Sequence, residues 1–235
     1  MKQKIKMWCY SACILCLSSV LTTGCKKDDN GITAAPQVTV SDLDGNVYHT
    51  ITIGTQVWMV ENLNVTHYRN GDPIPNVTDT TVWANLTTGA YCDYDNTPGN
   101  SATYGRFYNW YAINDGRTIA PIGWHVPTDA DWTTLTSYFG ADSIAGGKLK
   151  TAGTTLWQTP NAGATNESGF KGLPAGSRDI NGLFSHTGLD AYWWSSTLYG
   201  STGKAWYRNL NYNYAGVVRV SSNRANGYSV RCVKD

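Results

Sequence analysis

The sequence is short of charge and of aliphatic bulk. Only 15% of its 235 residues are charged, 18 basic against 17 acidic, for a net charge of +1. With no basic excess to neutralise a run of phosphates, nucleic acid is excluded as a partner. Leu, Ile, Val and Phe together number 44, a level associated with disorder where net charge is high. Net charge here is near zero, so a folded chain has to draw its core from other residues. Glutamate occurs only at positions 61 and 167, which leaves little for the paired carboxylates of glycoside hydrolysis. The sequence contains no phosphate-cradling glycine loop, no nucleophile elbow and no internal repeat, and neither Cys92 nor Cys232 has a second Cys or a His at zinc-ligand spacing.

What is present is aromatic and polar. Ten Trp and 15 Tyr can each bury ~150–250 Å² and so supply the missing core. Gly, Thr, Asn and Ser account for 87 residues, which favours turns, loops and short strands and excludes a helical bundle.

The first 24 residues read as an export signal. Lys2, Lys4 and Lys6 precede an apolar run from Met7 to Leu21, followed by Thr22-Thr23-Gly24-Cys25. The run is shorter than the ~20 residues that span a bilayer. The segment before Cys25 resembles a bacterial lipobox, with Leu21 four residues before the Cys and Thr22 in the position where Leu is usual. Cys25 is therefore the expected lipidation site, and acyl chains there would anchor the protein to a membrane. Lys26-Lys27-Asp28-Asp29 is similar to the tag that follows the acylated Cys in surface-exported lipoproteins of Bacteroidetes, so an outer-membrane, outward-facing protein is expected. Residues 25–36 read as a flexible tether and 37–235 as one domain. Removing the leader leaves 15 basic and 17 acidic side chains and a net charge of −2.

Cys9, Cys13 and Cys16 leave with the leader, so the mature domain keeps Cys92 and Cys232. In an oxidising compartment they could form one disulfide; two buried free thiols are the equal alternative.

Alternation at Val38 and Val40, the turn signal Asp44-Gly45, and a second run through Val47, His49, Ile51 and Ile53 predict a hairpin, with Val57–Val60 as a third strand. This spacing puts His49 on the apolar face. Residues 63–103, rich in Asn, Thr, Gly and Pro, read as a long irregular excursion. Thr128-Asp129-Ala130-Asp131 has the form of a capping box, and Trp132, Leu135 and Phe139 follow at helical spacing until Gly140. A second helix is predicted over 142–150. Strands recur from Tyr192 to Val233, with Trp206, Arg208, Leu210, Tyr212 and Tyr214 sharing one parity.

Five segments, in order, resemble the Fibrobacter succinogenes major paralogous domain: Gly54–Leu63 (GTQVWMVENL), Tyr104–Tyr111 (YGRFYNWY), Gly123–Asp129 (GWHVPTD), Trp193–Thr197 (WWSST) and Ser229–Val233 (SVRCV). The resemblance covers about 37–235. It implies an exported or lipid-anchored protein with a C-type lectin-like α+β fold: two short helices, small antiparallel sheets and long irregular loops. Trp193, Trp194 and Trp206 then belong to the core.

Read for chemistry, Glu61 sits in WMVENLN beside a strand and His125 in GWHVP, both as structural residues. Asp129 and Asp131 serve the first turn of a helix. Asp42-Asp44-Asn46 and Asp93-Asp95-Asn96 could offer oxygens to Ca²⁺, but the first is more simply a hairpin turn and the second an acidic loop. No metal and no cofactor is implied. The region 192–229 holds six Tyr, six Ser and five Asn, a composition common on recognition surfaces. Its candidates for contact are Asn209, Asn211, Tyr212, Asn213, Tyr214, Asn223 and Asn226. The sequence thus points to a surface-anchored, non-enzymatic recognition or cell-envelope interaction domain for a glycan or protein. Two alternatives are an exported enzyme acting on glycans or polypeptides, and a variable ligand-binding protein of a diversity-generating retroelement.

Overall fold

The structure, a computed structural model, describes residues 38–235. The leader, Cys25 and the tether lie outside the described residues. Twelve strands and five helices follow in chain order. The opening strands are β1 (Thr39–Ser41), β2 (Val47–Ile53) and β3 (Gln56–Met59). The middle of the chain carries α1 (Thr80–Ala84), β4 (Tyr91–Cys92), α2 (Pro98–Tyr104), β5 (Phe107–Tyr108), α3 (Trp110–Ile113) and β6 (Trp124–His125). Helices α4 (Asp129–Tyr138) and α5 (Asp142–Leu149) come next, then the short strands β7 (Ser177–Arg178) and β8 (Phe184–Ser185). The longest strands close the chain: β9 (Asp190–Tyr199), β10 (Lys204–Asn211), β11 (Val218–Asn223) and finally β12 (Val233–Lys234). The largest sheet has the order β1-β2-β3-β12-β6, so the last strand is inserted beside the opening hairpin. The second sheet, β11-β10-β9, is wholly antiparallel.

The fold is mixed α+β, as expected. Helix α4 begins at the predicted cap: the Thr128 side chain accepts from Asp131 N–H while the Asp131 carboxylate accepts from Thr128 N–H. The excursion over 63–103 is less irregular than its composition implies, since α1, β4 and α2 lie in it. Helices of five and seven residues are too short to display a periodicity and are held by packing rather than propensity. In β2 the buried residues are Tyr48 and Ile53, while Val47 is exposed and His49 only half-buried. Alternation placed His49 inward. Tyr48 takes the inward place because its hydroxyl donates to Asp42 at 2.5 Å and accepts from Asn64 N–H at 3.0 Å.

Eight of the nine described tryptophans are buried. Trp58, Trp132, Phe170 and Trp193 form one aromatic nucleus with ring centroids 4.9–6.2 Å apart. Indole is more than bulk here, because each buried N–H must find an acceptor. Trp83 donates to Ala225 O, Trp110 to Ser195 O, Trp157 to Gly172 O and Trp194 to Tyr108 O, all at 2.9–3.0 Å. One side chain thus fills the core and ties a distant loop to it.

Three buried cations, Lys150, Arg178 and Arg231, have no carboxylate partner among the described residues. Lys150 Nζ donates to the carbonyls of Ala162, Asn211 and Tyr214 at 2.8–3.0 Å. Arg178 binds the carbonyls of Val77, Thr78 and Gly182 and stacks between Trp83 and Phe184. Arg231 donates to Asn62 Oδ1 and Phe170 O and lies 4.2 Å from the Phe170 ring. Carbonyl dipoles and aromatic faces replace counter-ions. Helix α5 reaches Lys150 through Gly146 and Gly147, where an added Cβ would lie 2.1 Å and 2.2 Å from the carbonyl oxygens of Gly216 and Gly163. Glycines that weaken the helix are what let two loops close on it.

Cys92 and Cys232 are free thiols, which decides between the two alternatives. They belong to separate clusters, Cys92 with Trp83 and Phe107, Cys232 with Tyr48 and Tyr108. Burial pushes the Cys92 thiol up to about 12 and raises Cys232 further. Neither should react with a thiol reagent at pH 8 until the protein unfolds, and reductant should leave the melting temperature unchanged. Labelling by mass spectrometry, with and without urea, checks both.

Candidate binding surface

Of the seven contact candidates only Asn209 and Asn211 lie on β10, a strand covered on both sides. Trp194, Tyr207 and Tyr192 face the cluster containing Tyr228, and Trp193 and Leu210 face the one containing Trp132. A strand buried on both faces leaves little of itself for contact. Asn209 and Asn211 therefore work internally, donating to the buried carboxylate of Asp190 at 3.1 and 2.8 Å. Tyr212 packs on the second cluster. Asn226 is half-buried and donates to Tyr228 Oη at 3.0 Å. Asn213, Tyr214 and Asn223 are exposed, at the turn after β10 and the end of β11.

Trp206 was expected in the core and is instead half-exposed. The register of β10 against β9 shifts between Ala205 and Tyr207, and such an irregularity re-aims the side chain beside it. The Tyr199 ring meets Trp206 edge-on at 4.7 Å, and the Arg219 guanidinium lies 3.6 Å from the indole centroid. Arg219 is fixed in turn by Asp129, with Nε–Oδ1 2.9 Å and Nη2–Oδ2 2.8 Å. Asp129 also holds buried Arg208 at 2.8 Å. The result is a pre-positioned aromatic and cationic platform tied to the first residue of α4. The composition of 192–229 flagged this region, but Arg219 carried no signal in the sequence.

Burial opposes ionisation of Asp129, yet hydrogen bonds from Arg219 and Arg208 outweigh it and hold the carboxyl below its ordinary range. A folded-state value below the unfolded one contributes stability above pH ~4 that is lost as pH falls. Asp129→Asn should cost about 2 kcal/mol at pH 7, because Arg208 loses its counter-ion. Thermal melts at pH 7 and pH 3 should show the gap between variant and wild type narrowing in acid.

The other chemically suggestive residues are spread out. Glu61 accepts from His49 Nδ1 at 2.8 Å and His49 N–H at 2.7 Å. Glu167 pairs with Lys148 at 2.9 Å. His125 bridges Asp235 and Asp131 at 2.8 and 3.2 Å. Asp42 closes its own turn through Asn46, and Asp93 faces Arg106 at 3.3 Å. Among the described residues no three His, Cys, Asp or Glu side chains gather as metal ligands.

The five quoted motifs fall on β3, β5–α3, β6–α4, β9 and the approach to β12, and the chain matches the Fibrobacter succinogenes major domain over residues 51–234. It belongs to that family. No curated protein and no solved structure matches it. In this Fibrobacter succinogenes major domain the motif residues are mostly interior: Trp58, Trp110, Trp193, Trp194, Asn62 and Arg231 are all 5% exposed or less. The platform is built largely from Tyr199, Trp206 and Arg219, which stand outside the motifs.

Proposed function

We propose that this protein is a lipid-anchored, outward-facing, non-enzymatic recognition or cell-envelope interaction module with a C-type lectin-like fold. The platform of Tyr199, Trp206 and Arg219 carries the recognition reading. Tyr199 and Arg219 are exposed and Trp206 half-exposed between them, the surface is amphipathic, and aromatic anchors of this kind dominate contact energies. Asn213, Tyr214 and Asn223 add adaptable hydrogen-bonding groups. Helices α4 and α5 beside a sheet that β12 completes are consistent with the lectin-like reading. The anchor reading rests on the basic start, the apolar run and Cys25.

A glycan array and a pull-down from envelope extract, each run with wild type and Trp206→Ala, test recognition. Binding lost in the variant with its melting temperature kept supports the reading; turnover of a polysaccharide panel, abolished by Glu61→Gln or Glu167→Gln, would replace it with the enzymatic one. For location, protease shaving of intact cells should remove the domain, and Cys25→Ala should release it from the membrane fraction. Protection of the domain would contradict surface display.

A further inference from the structure

A cleft of about 400 Å³ opens between the 73–75 segment, the 87–89 turn, α3 and Arg224. All eight arginines of the chain lie among the described residues. Seven have their guanidinium engaged: Arg69 and Arg178 with backbone carbonyls, Arg106 and Arg231 with asparagine oxygens, and Arg117, Arg208 and Arg219 with aspartates. Arg224 has no hydrogen bond and no ion pair to its guanidinium among these residues. It rests 5.1 Å from the Tyr111 ring and 5.9 Å from Trp110, and its Nε is buried without an acceptor. A buried donor left unpaired is rare and needs an explanation.

The surroundings supply one. Asp115, the carboxylate lining the cleft, is already bound by Arg117 at 2.8 Å, so Arg224 is a cation without a counter-charge. Thr87, Thr88 and Asn114 also line the cleft, and their side chains make no hydrogen bond among the described residues. Pro73, Pro75 and Tyr111 give it apolar walls. The wall's backbone is already used: Ile74 N–H donates to Thr66 O, and Pro75 O accepts from Tyr91 N–H. A peptide strand would find no free edge there, whereas a sugar ring would meet hydroxyl and amide side chains beside an apolar face.

We propose that this cleft binds the carboxylate of an acidic sugar, a uronate within a glycan. Arg224 takes the carboxylate through the N–H donors of its two terminal guanidinium nitrogens, which are not buried as Nε is. Thr88 and Asn114 meet ring hydroxyls, and Tyr111 and Pro75 cover the C–H face. The volume suits a few sugar units. The cleft is lined by other residues than the platform of Tyr199, Trp206 and Arg219, so either site can fail without the other.

The test is isothermal titration of the purified full chain with oligogalacturonate, its methyl ester, a sulfated oligosaccharide and a short peptide with a free C-terminus. Oligogalacturonate should bind, and both Arg224→Gln and methyl esterification should weaken it at least tenfold. Asn114→Ala should weaken it severalfold. Because the Arg224 guanidinium holds no hydrogen bond within the protein, Arg224→Gln should keep the wild-type melting temperature. Uronate binding that is unmoved by Arg224→Gln, preference for the ester, sulfated sugar or peptide, or no binding of oligogalacturonate would each overturn the assignment.

Discussion

Replacing Asn62 by Leu is expected to lower the unfolding free energy by about 3–5 kcal/mol. Asn62 Oδ1 accepts from Arg231 Nη2 at 2.7 Å, Arg231 Nε at 3.1 Å and Trp193 Nε1 at 2.8 Å. Leu has the same branched shape and is somewhat larger, so no cavity forms and the cost comes mainly from stranding a guanidinium, an indole N–H and the Tyr104 carbonyl. Arg231 is fully buried, and burial pushes its pKa down to about 9; it stays charged at neutral pH. For a domain of this size such a loss corresponds to a fall in melting temperature of about 10 °C or more. Asn62→Asp keeps the acceptor and adds the missing counter-charge but loses the N–H that Asn62 Nδ2 donates to Tyr104 O at 2.8 Å, so it should cost less stability than Asn62→Leu while remaining below wild type. Urea denaturation of the two variants checks the idea, and a Leu variant as stable as wild type would refute it.

Lys150→Met is expected to cost about 2–3 kcal/mol, since three carbonyls lose a charged donor while the volume is kept. Hydrogen exchange should rise at 161–165 and 211–215, the segments that the ammonium joins. The pH dependence has a definite sign. Burial pushes Lys150 down to about 8 in the folded protein, whereas an unfolded lysine holds its proton to about 10.4. Between those values the unfolded chain binds more protons, so this group makes the domain more stable as pH rises. The stability difference between wild type and Lys150→Met should therefore grow from pH 8 to pH 10. A flat difference would mean that the buried ammonium is not destabilised by its site.

Both sites illustrate how far local pattern reaches. The opening hairpin, the capped helix α4, the following α5 and the late strands were legible, because turn residues, a capping box and alternation are written within a few positions of one another. The inward place of Tyr48 was not, since it depends on Asp42 and Asn64 meeting across a turn. Trp206 looked like core because Trp193 and Trp194 are core, and a register shift between Ala205 and Tyr207 turned it outward. Asn209 and Asn211 looked like contact residues by composition, yet Asp190 on the neighbouring strand claims their amides. Arg231 lies in the quoted motif SVRCV, but nothing near it in the sequence says that Asn62 accepts from it.

What the sequence by itself determined is the family, the mixed α+β class and the reliance on aromatics, all of which follow from motif order, turn chemistry and a shortage of aliphatic residues. Only the tertiary structure decided that the two domain cysteines stay apart, that three cations are held by carbonyls and rings, and that one arginine of eight is left facing an open cleft. Those outcomes depend on which distant groups meet: Arg178 is held by Val77 and Thr78 and Arg231 by Asn62, all 100 or more residues away along the chain, and Lys150 by Asn211 and Tyr214, more than 60 away.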